Sequence, residues 1–214
     1  MSPDTPDAPE AARRSRAWAL TLRKSPDAGR RLWPRRRFRR FLRYVLSVAL
    51  VVAAGLTFVS ARWYVWPQQD AMPAHVDAIV MLDGPGDRLD TALDLAWAHR
   101  APVLAISVGT THYAAGKSCA PRIPRVKVIC FGPNPATTQG EVEFAARLAA
   151  RYHWHSIVLV AVTPQDTVAR LRLDRCFGGN LYIVNGHLAA WQWPLLVVYE
   201  WGSTLKALIL QRSC

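Results

Sequence analysis

Tyr44 to Ala61 is a run of 18 residues without one charged side chain, and 13 of the 43 residues before it are Arg or Lys. At a rise of about 1.5 Å per residue such a run, as a helix, crosses most of a hydrocarbon layer roughly 30 Å thick. The basic flank holds its own end in the cytoplasm and sends the rest of the chain across. Trp33, Phe38, Phe41 and Tyr44 on one side and Trp63, Tyr64 and Trp66 on the other are placed as interfacial belts. Three regions follow: a basic, largely disordered cytoplasmic tail over 1–43, a transmembrane signal anchor over 44–66, and an exported domain over 72–214.

The competing reading of the apolar run is a cleaved secretory signal, since Val59-Ser60-Ala61 resembles a small-residue cleavage site. The run exceeds the usual signal core of about 7–15 residues and stands behind a long leader, which favours an uncleaved anchor. Both readings export residues 72–214. A second apolar stretch, Leu195–Tyr199 with Leu205–Leu210, is interrupted by Glu200 and Lys206, so it reads as a buried element rather than a second span.

The net charge of +12 is concentrated in the tail: residues 1–43 carry +9, and residues 62–214 carry +3. The cluster Arg35-Arg36-Arg37-Phe38-Arg39-Arg40 abuts the apolar span, where it meets anionic lipid head groups, and no base-reading motif accompanies it. Membrane lipid is therefore the expected partner of the N-terminal region, and nucleic acid is not.

Past the span, short β-rich runs alternate with amphipathic helical runs, the pattern of a parallel sheet covered on both faces. Strands are expected at Val76–Leu82, Val103–Val108, Val126–Phe131, Ser156–Val162 and Leu181–Val184. Helices are expected at Arg88–Arg100, Gln139–Tyr152 and Pro164–Cys176, with a last one near Leu195–Leu210. The fold class is α/β: a Rossmann-like, doubly wound, mostly parallel five-stranded sheet, preceded by one transmembrane helix.

The helix starts carry the sharpest local signals. Thr138-Gln139-Gly140-Glu141 fits a capping box, Thr163-Pro164-Gln165-Asp166 fits a Thr cap followed by Pro, and Asp87 with Asp90 can cap the first helix of the domain. In a doubly wound sheet these starts gather at the carboxyl ends of the strands, where their partial positive charge favours an anion. Arg88 and Arg170 lie in the first turns of two of these helices and would add guanidinium donors suited to phosphate or carboxylate. Asp83-Gly84-Pro85-Gly86 follows the first strand and permits a tight turn. GxGxxG, GxxxxGK[ST] and GxSxG are all absent, so no nucleotide-cofactor or serine-hydrolase motif is present and no cofactor is expected. His112, after the second strand, is the histidine nearest the expected crevice; His153 and His155 flank Trp154, and no metal-ligand spacing occurs.

Asp77-Ala78-Ile79-Val80-Met81-Leu82, the Gly84 turn, Arg88-Leu89, Ala92, Thr137-Thr138-Gln139-Gly140-Glu141, and Val158-Leu159-Val160 through Thr163 to Arg170 together resemble the domain of unknown function 218 family. This family includes the YdcF-like and SanA-like bacterial envelope proteins, and the likeness spans Val76 to Cys176. It implies a Rossmann-like fold, frequently behind one membrane anchor, a link to cell-envelope processes, and a site around Asp83, Gly84, Arg88, Thr138, Glu141, Thr163 and Arg170. Members often carry a longer glycine run after the first strand and a His after the fourth; Asp166-Thr167 stands at the latter place, leaving a family-style histidine base unfilled.

Cys119, Cys130, Cys176 and Cys214 all follow the span, and an even count in an oxidising compartment favours disulfides. Of three connectivities, Cys119–Cys130, tethering the loop after the second strand, and Cys176–Cys214, tying down the C-terminus, are the expected pair; buried free thiols are the alternative. Two functions follow. In the first, the domain binds an anionic, phosphate-bearing envelope precursor through Gly84, Arg88, Thr138, Thr163 and Arg170, with Asp83 or Glu141 as candidate catalytic carboxylates. In the second, it is a non-catalytic, membrane-anchored interaction module in envelope homeostasis, presenting Trp191, Trp193 and Trp201 to protein partners.

Overall fold

The structure, a computed structural model, describes residues 35–68, 70–109, 119, 121–212 and 214, with the backbone alone at position 35. The chain divides into two compact units between Ala53 and Ala54. Helix α1, Arg35–Ser60, is followed by a π-helical turn over Ala61–Val65. Among the described residues, Arg36–Val65 is the one helical stretch long and apolar enough to cross a membrane.

The second unit contains the strands β1 Ala78–Met81, β2 Val103–Ser107, β3 Lys127–Phe131, β4 Ser156–Val162 and β5 Asn180–Gly186. Its helices are α2 Arg88–Trp97, α3 Thr138–Tyr152, α4 Thr163–Cys176 and α5 Trp193–Ile209. The strands form one sheet in the order β3-β2-β1-β4-β5, every neighbouring pair parallel. This is the doubly wound α/β arrangement, and its strand order reverses between β1 and β4.

Strand alternation feeds two separate cores. Ala78, Val80, Ile157, Leu159 and Ala161 point to one face, where Val142, Ala145 and Ala149 of α3 and Ala169 and Leu173 of α4 cover them. Ile79, Met81, Val158 and Val160 point to the other, covered by Ala92 and Ala96 of α2, with Ile123 from the β2–β3 connection packed in. A central strand buried on both faces must be apolar at successive positions, which is why β4 reads Ile-Val-Leu-Val-Ala-Val.

Element boundaries shift modestly from the sequence reading. α2 ends three residues before Arg100, because His99 adopts a left-handed conformation at φ 53°. β5 extends to Gly186, beyond Val184, because β4 offers partners as far as Val162. Asp77 anchors the start of β1 to that of β4: its Oδ2 accepts the amides of His155 (2.7 Å) and Ser156 (2.8 Å) and the Ser156 hydroxyl (3.0 Å). Both expected disulfides are present, Cys119–Cys130 and Cys176–Cys214.

Candidate functional site

The loop from β1 to α2 is built around one guanidinium. Arg88 opens α2 and is only 2 % exposed. Its Nε donates to the Pro85 carbonyl (3.0 Å) and its Nη1 to those of Asp83 (2.7 Å) and Leu82 (3.4 Å). Gly84, at φ 138°, allows the loop to close on this side chain; a Cβ there would sit 2.8 Å from Arg88 Nη2. Burial draws the Arg88 pKa down to about 10 against the opposing pull of Glu141, Asp83 and Glu200, so it remains a cation at neutral pH. Asp87 stands at the N-cap of α2, but its side chain makes no cap hydrogen bond. Its carboxylate accepts the His187 amide and its own amide donates to the His187 carbonyl, pinning the loop to the end of β5.

α3 begins one residue earlier than the capping-box reading places it. Thr137 is the cap, its hydroxyl accepting the Gly140 amide at 3.2 Å. Glu141 is thereby released from a reciprocal cap and turns to the β1 loop, where its Oε1 accepts the Asp83 amide at 2.7 Å. Burial raises the Glu141 pKa; the nearby Ser107 hydroxyl, which stands outside hydrogen-bonding geometry, the Asp83 amide and Arg88 act the other way. Thr138 accepts from Gln165 Nε2 at 3.1 Å, joining the starts of α3 and α4. Gly140 is obligatory, because a Cβ would fall 1.9 Å from the Pro135 carbonyl oxygen.

Asp83, Gly84, Arg88, Thr138 and Glu141 thus meet in one cleft of about 260 Å³ at the carboxyl end of the sheet, joined by Thr137, Gln165, Leu196, Tyr199 and Glu200. The other two expected ligand residues stand apart. Thr163 is the first residue of α4 rather than its cap and does not line this cleft. Arg170 is engaged by Asp70 and, at 3.9 Å, by Asp166, and it too lies outside the lining. Two guanidinium forks converging on one anion are therefore not what the fold assembles.

Glu200 is the site residue that sequence reasoning missed. It sits mid-way along α5, 1 % exposed, with Oε2 buried and unpartnered. Burial lifts its pKa to about 7, with Arg88 and Arg172 pulling the other way. Its signal in the sequence is the one that argued against a second span: a single carboxylate inside an apolar helix. A carboxyl that titrates near neutrality beside a buried guanidinium can store or deliver a proton, and in its protonated form donates a hydrogen bond.

His112 lies outside the described residues. The three tryptophans differ in their surroundings: Trp191 is 78 % exposed, Trp193 is half-buried and donates to the Leu188 carbonyl, and Trp201, also half-buried, packs on Trp63 and Tyr64 while donating to the Ser60 hydroxyl at 2.9 Å. Among the described residues, no group of three or more His, Cys, Asp or Glu side chains is placed to hold a metal ion. Comparison with known proteins returns no match to a family model, a curated protein or a solved structure.

Proposed function

We propose that this chain is a single-pass envelope protein of the domain of unknown function 218 type. In this reading the N-terminus is cytoplasmic, and the extracytoplasmic Rossmann-like domain binds a phosphate-bearing envelope precursor in the cleft between β1, α3 and α5. The anchor is supported by the apolar Arg36–Val65 helix behind its arginines, and export by two disulfides in the domain that follows. One observation carries the ligand reading: at the topological switch point of the sheet, the N-terminal turn of α3 and the Arg88 cation border the same cleft as two carboxyls biased toward protonation. Ionised, Glu141 and Glu200 would repel an anion; protonated, they donate to it.

The protonation state then couples to binding. Phosphate ligands should bind more tightly at pH 6 than at pH 8, and Glu200→Gln, a permanent donor, should remove most of that difference. Isothermal titration of inorganic pyrophosphate into the full-length protein in lipid nanodiscs measures both. Absence of pyrophosphate binding at millimolar concentration at either pH would sink the proposal.

A further inference from the structure

The last helix, α5, is built inside out. Its inward side carries Glu200, Thr204 and Ala207, all buried, two of them polar. Its outward stripe runs Leu195, Val198, Gly202, Leu205 and Ile209, at the i, i+3, i+7, i+10, i+14 spacing of one helix face. Leu195, Val198, Leu205 and Ile209 are 78, 70, 49 and 61 % exposed. A surface helix in water shows the reverse pattern, and a contiguous apolar stripe marks a surface that meets something other than water. The stripe is extended by the exposed Trp191, Tyr199 and Leu210.

What covers this face is indicated by its neighbour. The end of the apolar span packs directly on α5: Tyr64 is fully buried with its hydroxyl 2.7 Å from that of Thr204, Trp63 and Trp201 rings lie 5.9 Å apart, and Trp201 donates to Ser60. The point where the chain would leave the bilayer is therefore in contact with α5 itself. Lys206 on α5 and Arg62 on the turn packed against it are exposed and basic, and the acid of α5 is the buried Glu200. That is the arrangement of an interfacial helix: apolar side chains in the acyl boundary, cations at the phosphates.

We infer that the outward face of α5 lies in the bilayer surface to which the chain is anchored, seated among lipid acyl chains, so that the domain rests on the membrane instead of hanging from it. The inference rests on the anchor reading above. Its consequence concerns the cleft. Pro85, Leu196 and Tyr199 line both the cleft and an apolar hollow of about 560 Å³ bordered by Trp191 and Leu195 at the start of α5. The cleft consequently opens at the lipid surface, and its ligand can be taken from the membrane without passing through bulk water.

The test uses the full-length protein in nanodiscs doped with a phospholipid carrying a diazirine in its acyl chain, irradiated and mapped by mass spectrometry. The expected result is adducts on the Leu195–Ile209 stripe as well as on the Tyr44–Ala61 span, with the exposed Arg147 side of α3 at background. The variant Val198→Glu with Leu205→Glu, both on the outer surface, should return α5 to background while the span remains labelled and the Cys176–Cys214 bond remains formed. Label on the span but not on α5 overturns the seat and leaves the anchor standing; label on neither overturns both. An α5-to-α5 cross-link between two chains, with no lipid adducts on α5, would assign the face to a second copy and likewise overturn the inference.

Discussion

Glu200→Gln isolates the electrostatics of the cleft. The Glu200 carboxyl titrates at about 7 in the folded domain against 4.5 when unfolded. Between those values the folded state holds a proton that the unfolded state has released, so stability falls as pH rises from 4.5 and the loss is complete above 7. A difference of about 2.5 pKa units corresponds to about 3 kcal/mol at pH 8, and by the same relation to about 1 kcal/mol at pH 5. Glutamine has the shape of the protonated acid and no titration. The variant should therefore gain on the wild type by about 2 kcal/mol between pH 5 and pH 8, a relative rise in Tm of roughly 4–8 °C for a domain of this size. Thermal unfolding of both full-length proteins followed by tryptophan fluorescence reads this directly, and comparing the two cancels the titration of Glu141, Asp166 and Asp77. An offset between the two proteins that is the same at pH 5 and pH 8 would refute the assignment of a raised pKa to Glu200.

Asp77 should behave with the opposite sign. Burial pushes its pKa up, but the amides of His155 and Ser156 and the Ser156 hydroxyl outweigh this and leave it lowered, so its stabilisation is present above the ordinary carboxylate range and lost on acidification. Asp77→Asn should unfold at lower temperature than the wild type at pH 7, with the gap narrowing as the pH falls below the ordinary carboxylate range. Gly140→Ala forces a Cβ onto the Pro135 carbonyl oxygen and should cost about 2 kcal/mol, lowering Tm by about 4–8 °C, with an unchanged Tm as the contrary result. Replacing Cys176 and Cys214 together by Ser opens a loop of 38 residues and should cost about 4 kcal/mol in denaturant titrations, because the bridge restricts the unfolded chain; a variant as stable as the wild type would refute that account.

The sheet was legible because its information is local and repeated. β4 coincides with its expected range from Ser156 to Val162, since a run of β-branched and aliphatic residues between two turn signals has few other solutions. The disulfide partners were the expected ones: of three connectivities, Cys119–Cys130 tethers the loop after β2 across 11 residues and Cys176–Cys214 ties the C-terminus to the end of α4 across 38. The cleft was legible only in part. Asp83, Gly84, Arg88, Thr138 and Glu141 all follow strand ends or open helices, and topology alone gathers such positions. Arg170 occupies an equivalent place in sequence, yet it pairs with Asp70, a residue before β1 whose proximity no local pattern announces.

Glu200 shows what the local reading cannot supply. In the sequence it is a charge that breaks an apolar stretch, and hydropathy alone makes α5 a buried element. In the fold the helix is turned the other way: the carboxyl faces inward to Arg88 and Arg172, and the leucines and valine face out. Periodicity identifies the two faces of a helix, but which face is the inner one depends on what surrounds it, and water is only one candidate. If the surroundings of α5 are lipid on one side and the cleft on the other, the two anomalies of this helix have one origin. The apolar stripe can remain outside because it leaves water for the bilayer. The carboxyl can remain inside because Arg88 and Arg172 offset part of the cost of burying its charge and protonation near neutrality removes the rest. The two tests separate these statements, since lipid photolabelling reads the outer face and the pH dependence of Glu200→Gln reads the inner one.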